Sequence, residues 1–141
     1  MVNAFVEAIY NKLKAGGSLM TKLGGNAGNG YKCYNVIAPQ GTSFPYITFG
    51  LLTDIPEGII VNSTAFENGT VWLNIFSDSG SAKEAGEILD LVKAVLDDAD
   101  LTITGYSDLG CRREFIGSVL YDPDTGVWQL PMRYRALARK D

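Results

Sequence analysis

A chain of 141 residues, 46% hydrophobic and 20% charged, is long and apolar enough to bury one core without disulfide or metal staples. A formal charge of −4 argues against general nucleic-acid binding, and the absence of histidine removes Ser-His and Cys-His nucleophiles, histidine-ligated metals and histidine acid–base work. No apolar run approaches a membrane span, and Met1–Glu7 has no basic segment ahead of an apolar one, so the expectation is a cytosolic chain with no membrane partner.

Apolar residues recur at helical spacing from Val2 to Leu13 (Phe5, Val6, Ile9), predicting an amphipathic helix. Gly16-Gly17 stop it, and Ser18 is expected to cap a short second helix over Leu19 to Leu23. The run Gly24-Gly25-Asn26-Ala27-Gly28-Asn29-Gly30 fails the phosphate-loop pattern, because Tyr31 separates Gly30 from Lys32 and a strand follows; it reads as a connecting loop. Cys33 and Cys111 have no CxxC spacing and read as two reduced, half-buried thiols.

Strands are expected over Tyr34 to Ile37 and Tyr46 to Thr53, joined by a rigid corner in which Ala38-Pro39 and Phe44-Pro45 exclude helix. Asp54 to Asn62 holds a Pro/Gly turn and the apolar run Ile59-Ile60-Val61, read as an inner strand or, preferably, as an arm that buries its apolar residues against another subunit. Ala65 to Ser77 predicts a central strand: Val71, Leu73 and Ile75 alternate with Thr70, Trp72, Asn74 and Phe76.

Ser77 to Ser81 offers N-caps for a long helix from about Ala82 to Asp97, with Ala85, Ile88, Leu89, Val92, Val95 and Leu96 as its apolar stripe. Asp97, Asp98 and Asp100 read as a solvated acidic corner; no metal or cofactor site is expected anywhere. Two strand-like runs, Asp108 to Tyr121 and Val127 to Arg139, flank the turn Asp122-Pro123-Asp124-Thr125-Gly126. The last run alternates Trp128, Leu130, Met132, Tyr134, Ala136 and Ala138 with Gln129, Arg133, Arg135 and Arg139. Those arginines, with Arg112 and Arg113 on the partner strand, read either as a charged solvent face or as ion pairs to a subunit or partner.

The fold class expected is α+β: one domain over residues 1–141, a mainly antiparallel mixed sheet, an N-terminal helix pair, one long helix packed on the sheet and a long C-terminal β-hairpin. This order of elements resembles the tail-completion, or tail-terminator, proteins of long-tailed bacteriophages and prophages. Leu19-Met20-Thr21-Lys22-Leu23-Gly24, Ala38-Pro39-Gln40-Gly41, Phe44 to Phe49, Val71 to Ser77, Tyr121 to Gly126 and Met132-Arg133-Tyr134-Arg135-Ala136 carry the resemblance. The chain departs from the family in lacking an arginine after the helix-initiating serine (Ser77-Asp78-Ser79-Gly80) and in its longer glycine loop.

The resemblance implies a non-enzymatic virion protein at the head–tail junction, assembled in the host bacterial cytoplasm. It implies a ring of six copies on the head-proximal end of the tail tube, which stops tube growth and offers the head-joining surface. Its implied partners are further copies of itself, the major tail tube protein and a head-completion or neck protein, with DNA passing an acidic or neutral lumen unbound. The candidate interface residues are Ile59, Ile60, Val61, Arg112, Arg113, Arg133, Arg135 and Arg139. Competing readings are a head-completion or neck adaptor, another minor tail protein, or a small cytosolic ligand-binding or enzymatic domain using Asp, Glu or Tyr.

Overall fold

The computed structural model describes residues 2–28, 30–59, 62–101 and 105–140. Helix α1 (Val2–Lys14) buries Phe5, Ile9 and Leu13, the stripe expected from its spacing. Helix α2 (Gly17–Leu23) starts one residue before the expected Ser18 cap: Gly16 occupies the cap position without a side-chain bond, so Ser18 lies within the first turn. A side chain at Gly16 would stand 2.7 Å from Val95, so glycine is what lets this corner touch the long helix. Gly24 (φ 75°) closes α2, with the Gly25 N–H reaching back to the Met20 carbonyl at 2.9 Å, the pairing of a Schellman C-cap.

Strand β1 (Cys33–Asn35) is shorter than the expected strand and runs parallel to β2 (Tyr46–Ile59). It stops because Val36 takes a positive φ of 68°, which turns Val36 and Ile37 out of the ladder. β2 and β3 (Asn62–Ser77) form one long antiparallel hairpin in which Ile59 faces Asn62. The Pro/Gly turn expected within Asp54 to Asn62 is therefore absent: Pro56 sits inside β2 opposite Glu67. Proline is tolerated there because β1 covers β2 only at Ile47 to Phe49, leaving the far side of Pro56 an edge. β3 pairs with β6 only from Phe66 onward, so the hairpin runs past the sheet by about four residues per strand, or ~13 Å.

Helix α3 (Lys83–Leu96) buries Ala85, Ile88, Val92 and Leu96. Ala82 holds the cap position without a side-chain bond, and of the expected serine caps Ser81 accepts the N–H of Lys83, the first residue of the helix, at 3.4 Å. Ser77, fully buried, donates instead to Glu84 at 2.9 Å. β4 (Tyr106–Ile116) and the short β5 (Leu120–Asp122) both pair antiparallel with β6 (Val127–Lys140). The turn between β5 and β6 is closed by the Gly126 N–H to the Asp122 carbonyl at 2.8 Å, with Gly126 at φ 69°.

The mixed sheet has the order β1-β2-β3-β6-β4, with β5 also on β6, and β3 is central as its two apolar-weighted faces require. Its inner face (Ile47, Phe49, Val71, Leu73, Ile75, Leu130, Met132, Tyr134) meets all three helices in one core. The architecture is α+β, with α1 over β1 and β2 and α3 over β3, β6 and β4. Among the described residues no helix covers the outer face.

Candidate functional site

Period-2 alternation sends the side chains opposite the core to the outer face: Tyr46 and Thr48 on β2, Trp72, Asn74 and Phe76 on β3, Gln129, Arg133 and Arg135 on β6. Two sectors result. One is aromatic: the Phe44, Tyr46 and Phe76 rings form a row with centroids 5.1 Å apart at each step, and Tyr34 meets Tyr46 edge-on at 6.3 Å. Trp72 lies against Gly50 on the neighbouring strand, where a Cβ would be 2.7 Å from the indole. The loop from Val36 to Thr42 overhangs this sector and encloses a cleft of about 600 Å³ with Trp72, Asn74 and Phe76 on its floor.

The other sector is basic. All five arginines of the chain fall on β4 and β6. Arg112 faces Arg135 directly across the ladder. Arg133 stacks over the Phe115 ring at 5.0 Å, Arg135 lies 3.5 Å from the Glu114 carboxylate, and Arg139 is exposed opposite Ser107. The structure thus brings together Arg112, Arg133, Arg135 and Arg139 but not Arg113, which points to the inner face. The Arg113 Nη1 is buried 3.3 Å from Asp97 Oδ2, at ion-pair distance without hydrogen-bond geometry.

Asp97 therefore belongs to an internal tie that the sequence reading placed in a solvated corner. Tyr134, fully buried, donates its hydroxyl to Asp97 Oδ1 at 2.6 Å. Burial, then the Asp97 bond and charge, push the Tyr134 hydroxyl far above its ordinary range. Asp98 and Asp100 next to it are exposed, and Asp98 has φ 53°. Of the arm candidates, Ile59 ends β2, while Ile60 and Val61 lie outside the described residues.

Reactive chemistry is poorly served. Cys33 and Cys111 are thiols in no disulfide and are buried, not half-buried, and burial pushes the Cys33 thiol up to about 12. Burial also lowers the Lys32 ammonium from its usual value. Among the described residues there is no cluster of three or more Cys, Asp or Glu side chains placed to hold a metal. What the surfaces offer is shape, aromatic area and charge, the currency of protein contacts.

The family model described as "Tail completion protein gp17" matches residues 7–139. The chain belongs to that family. No curated protein matches it. Among solved structures, a chain from a structure titled "Virion of native gene transfer agent (GTA) particle" superposes with a TM-score of 0.76 at 16% identity, over 94% of this chain and 92% of that one. That likeness shows the shared fold. Family membership makes this chain a structural component of a phage-type tail that assembles with other virion proteins.

Proposed function

We propose that this tail completion protein acts as a tail terminator: copies assemble head-to-tail into a ring, of six members, on the head-proximal end of the tail tube. The observation that carries the reading is the family match across nearly the whole chain. The surface chemistry supports it, since it offers contact area and leaves the described thiols without reactivity. The whole chain works as one unit with a non-catalytic role and is assembled in the host cytoplasm. The tube protein binds one side of the ring and a head-completion or neck protein the other. DNA passes the lumen, whose lining is acidic or neutral, so the arginine sector faces away from it.

Two elements supply contacts in this reading: the end of the β2–β3 hairpin, with Ile59 and the apolar Ile60 and Val61 beside it in sequence, and the arginines 112, 133, 135 and 139. Arg113 serves only by bracing β4 against Asp97. An Ile59→Asp variant is expected to run as a monomer in gel filtration under conditions where the wild type assembles. Unchanged assembly would remove the hairpin from the ring contact.

The deciding experiment is electron microscopy of lysates from the parent phage or prophage with this gene deleted. DNA-filled heads beside detached tails of abnormal, variable length are expected. Tails of normal length that fail to join heads would assign the protein to the neck, and intact particles would remove it from virion assembly.

A further inference from the structure

Apart from Leu52 on β2, the exposed large apolar side chains among the described residues gather at the two edges of the sheet. Val36 and Ile37, 62% and 77% exposed, stand at the end of β1, one edge of the sheet. Ile116, Val119, Leu120 and Tyr121 stand on and between β4 and β5, the other edge. The intervening strands β2, β3 and β6 hold the two clusters about 19 Å apart.

The first cluster is held out deliberately by the backbone. The Ile37 N–H bonds the Asn35 carbonyl at 2.8 Å, two residues back, closing a γ-turn around Val36 at φ 68°. A β-branched residue at positive φ is strained, and this form of γ-turn is the rare one. The Val36 N–H, bonded to the Phe49 carbonyl at 2.8 Å, pins the turn to β2. Strain kept to expose two aliphatic side chains points to a contact outside the chain.

Charge divides along the same line. Of the four lysines in residues 1–45, Lys22 is paired with Glu87 on α3 and Lys32 is buried, which leaves Lys12 and Lys14 on α1, the helix over β1; at the other edge Glu114 is paired with Arg135 of the arginine sector, and the turn beyond β5 is acidic. Lys14 stands over the Tyr10 and Tyr31 rings beside β1, and Asp122 and Asp124 are exposed in the turn beyond β5. Two different, mutually complementary patches on opposite edges of one molecule are what a head-to-tail contact needs, and such contacts close into rings when the rotation allows.

We infer that the Val36–Ile37 turn of one copy packs on the Ile116/Val119/Leu120/Tyr121 edge of the next copy, with the lysine-bearing edge of the first against Asp122 and Asp124 of the second. This rests on the ring reading above and names the surfaces that join its members.

Mixing two damaged chains tests it. Ile37→Glu spoils the β1 edge and Leu120→Glu the opposite edge; both residues are exposed, so circular dichroism and melting temperature should match wild type. By analytical ultracentrifugation each variant alone is expected to be a monomer at concentrations where wild type is assembled. Mixed in equal amounts they should give a species of two chains and stop, because one intact contact remains and the next is blocked. Wild-type-sized rings from either variant alone overturn the contact while leaving the ring. So does a mixture that stays monomeric at ten times the wild-type assembly concentration. A wild type that is monomeric at every concentration and leaves tail-tube ends uncapped overturns the ring reading, and this inference with it.

Discussion

Tyr134 shows how one hydroxyl ties two layers together. It stands fully buried on β6, and its bond to Asp97 anchors the C-terminal end of α3 to the sheet, while Arg113 on β4 holds the same carboxylate from the other side. Tyr134→Phe keeps the ring and removes one charge-assisted bond, an expected loss of about 1–3 kcal/mol by urea titration. The pH profile separates this from simple packing loss. The folded hydroxyl titrates above its unfolded value, so its contribution is fully present below about pH 10 and is lost as pH rises further. Wild-type stability should therefore fall above about pH 10 with a component that Tyr134→Phe lacks; identical profiles would show that the hydroxyl is not coupled to folding. Cys33 makes a simpler forecast. With its thiol buried and its titration pushed up to about 12, a thiol reagent at neutral pH should label it only after denaturant is added.

Elements repeat the lesson in packing. Phe5 on α1 lies directly over Gly69 in β3, where an added Cβ would stand 2.8 Å from the ring. Gly69→Ala should cost about 1–3 kcal/mol through overpacking, and Phe5→Leu should recover part of that loss in the double variant. Simple additivity of the two effects would refute the contact. Such close approaches are invisible in a sequence, which shows Gly69 only as part of Asn68-Gly69-Thr70. Periodic patterns were legible: α1, α3, the central β3 and the alternation of β6 all follow from spacing, because each is a long element with one face on the core. The short and strained pieces were not. Val36 reads as the end of a strand by propensity, and only the hydrogen bonds of its neighbours force it to positive φ. Pro56 reads as a turn because nothing local reveals that β1 ends too soon to need its missing N–H. Neighbouring arginines 112 and 113 had to face opposite ways by the strand period alone; what spacing could not supply was Asp97, brought under Arg113 by the packing of α3.

Across the whole molecule, the charge pattern is costly to an isolated chain. Arg112 and Arg135 face each other in register, with Arg133 two residues along β6 on one side and Arg139 four residues along on the other, and Glu114 is the carboxylate paired with Arg135 among the described residues. Like charges directly opposite on an antiparallel pair are destabilising, so this arrangement is one the folded monomer would be better without. Replacing Arg112 by Gln removes the opposition but keeps the aliphatic stem and a hydrogen-bonding head. It should therefore stabilise the isolated chain by about 0.2–1 kcal/mol in urea titration. If the arginines meet carboxylates of a tail or head partner, as the proposed role requires, the same variant should complement a gene deletion less well than wild type, with more free tails beside filled heads. Stability gained while joining is lost would mark the arginines as a contact surface maintained at the monomer's expense. Stability gained with joining unchanged would leave them a solvated face that keeps the sheet from pairing with others.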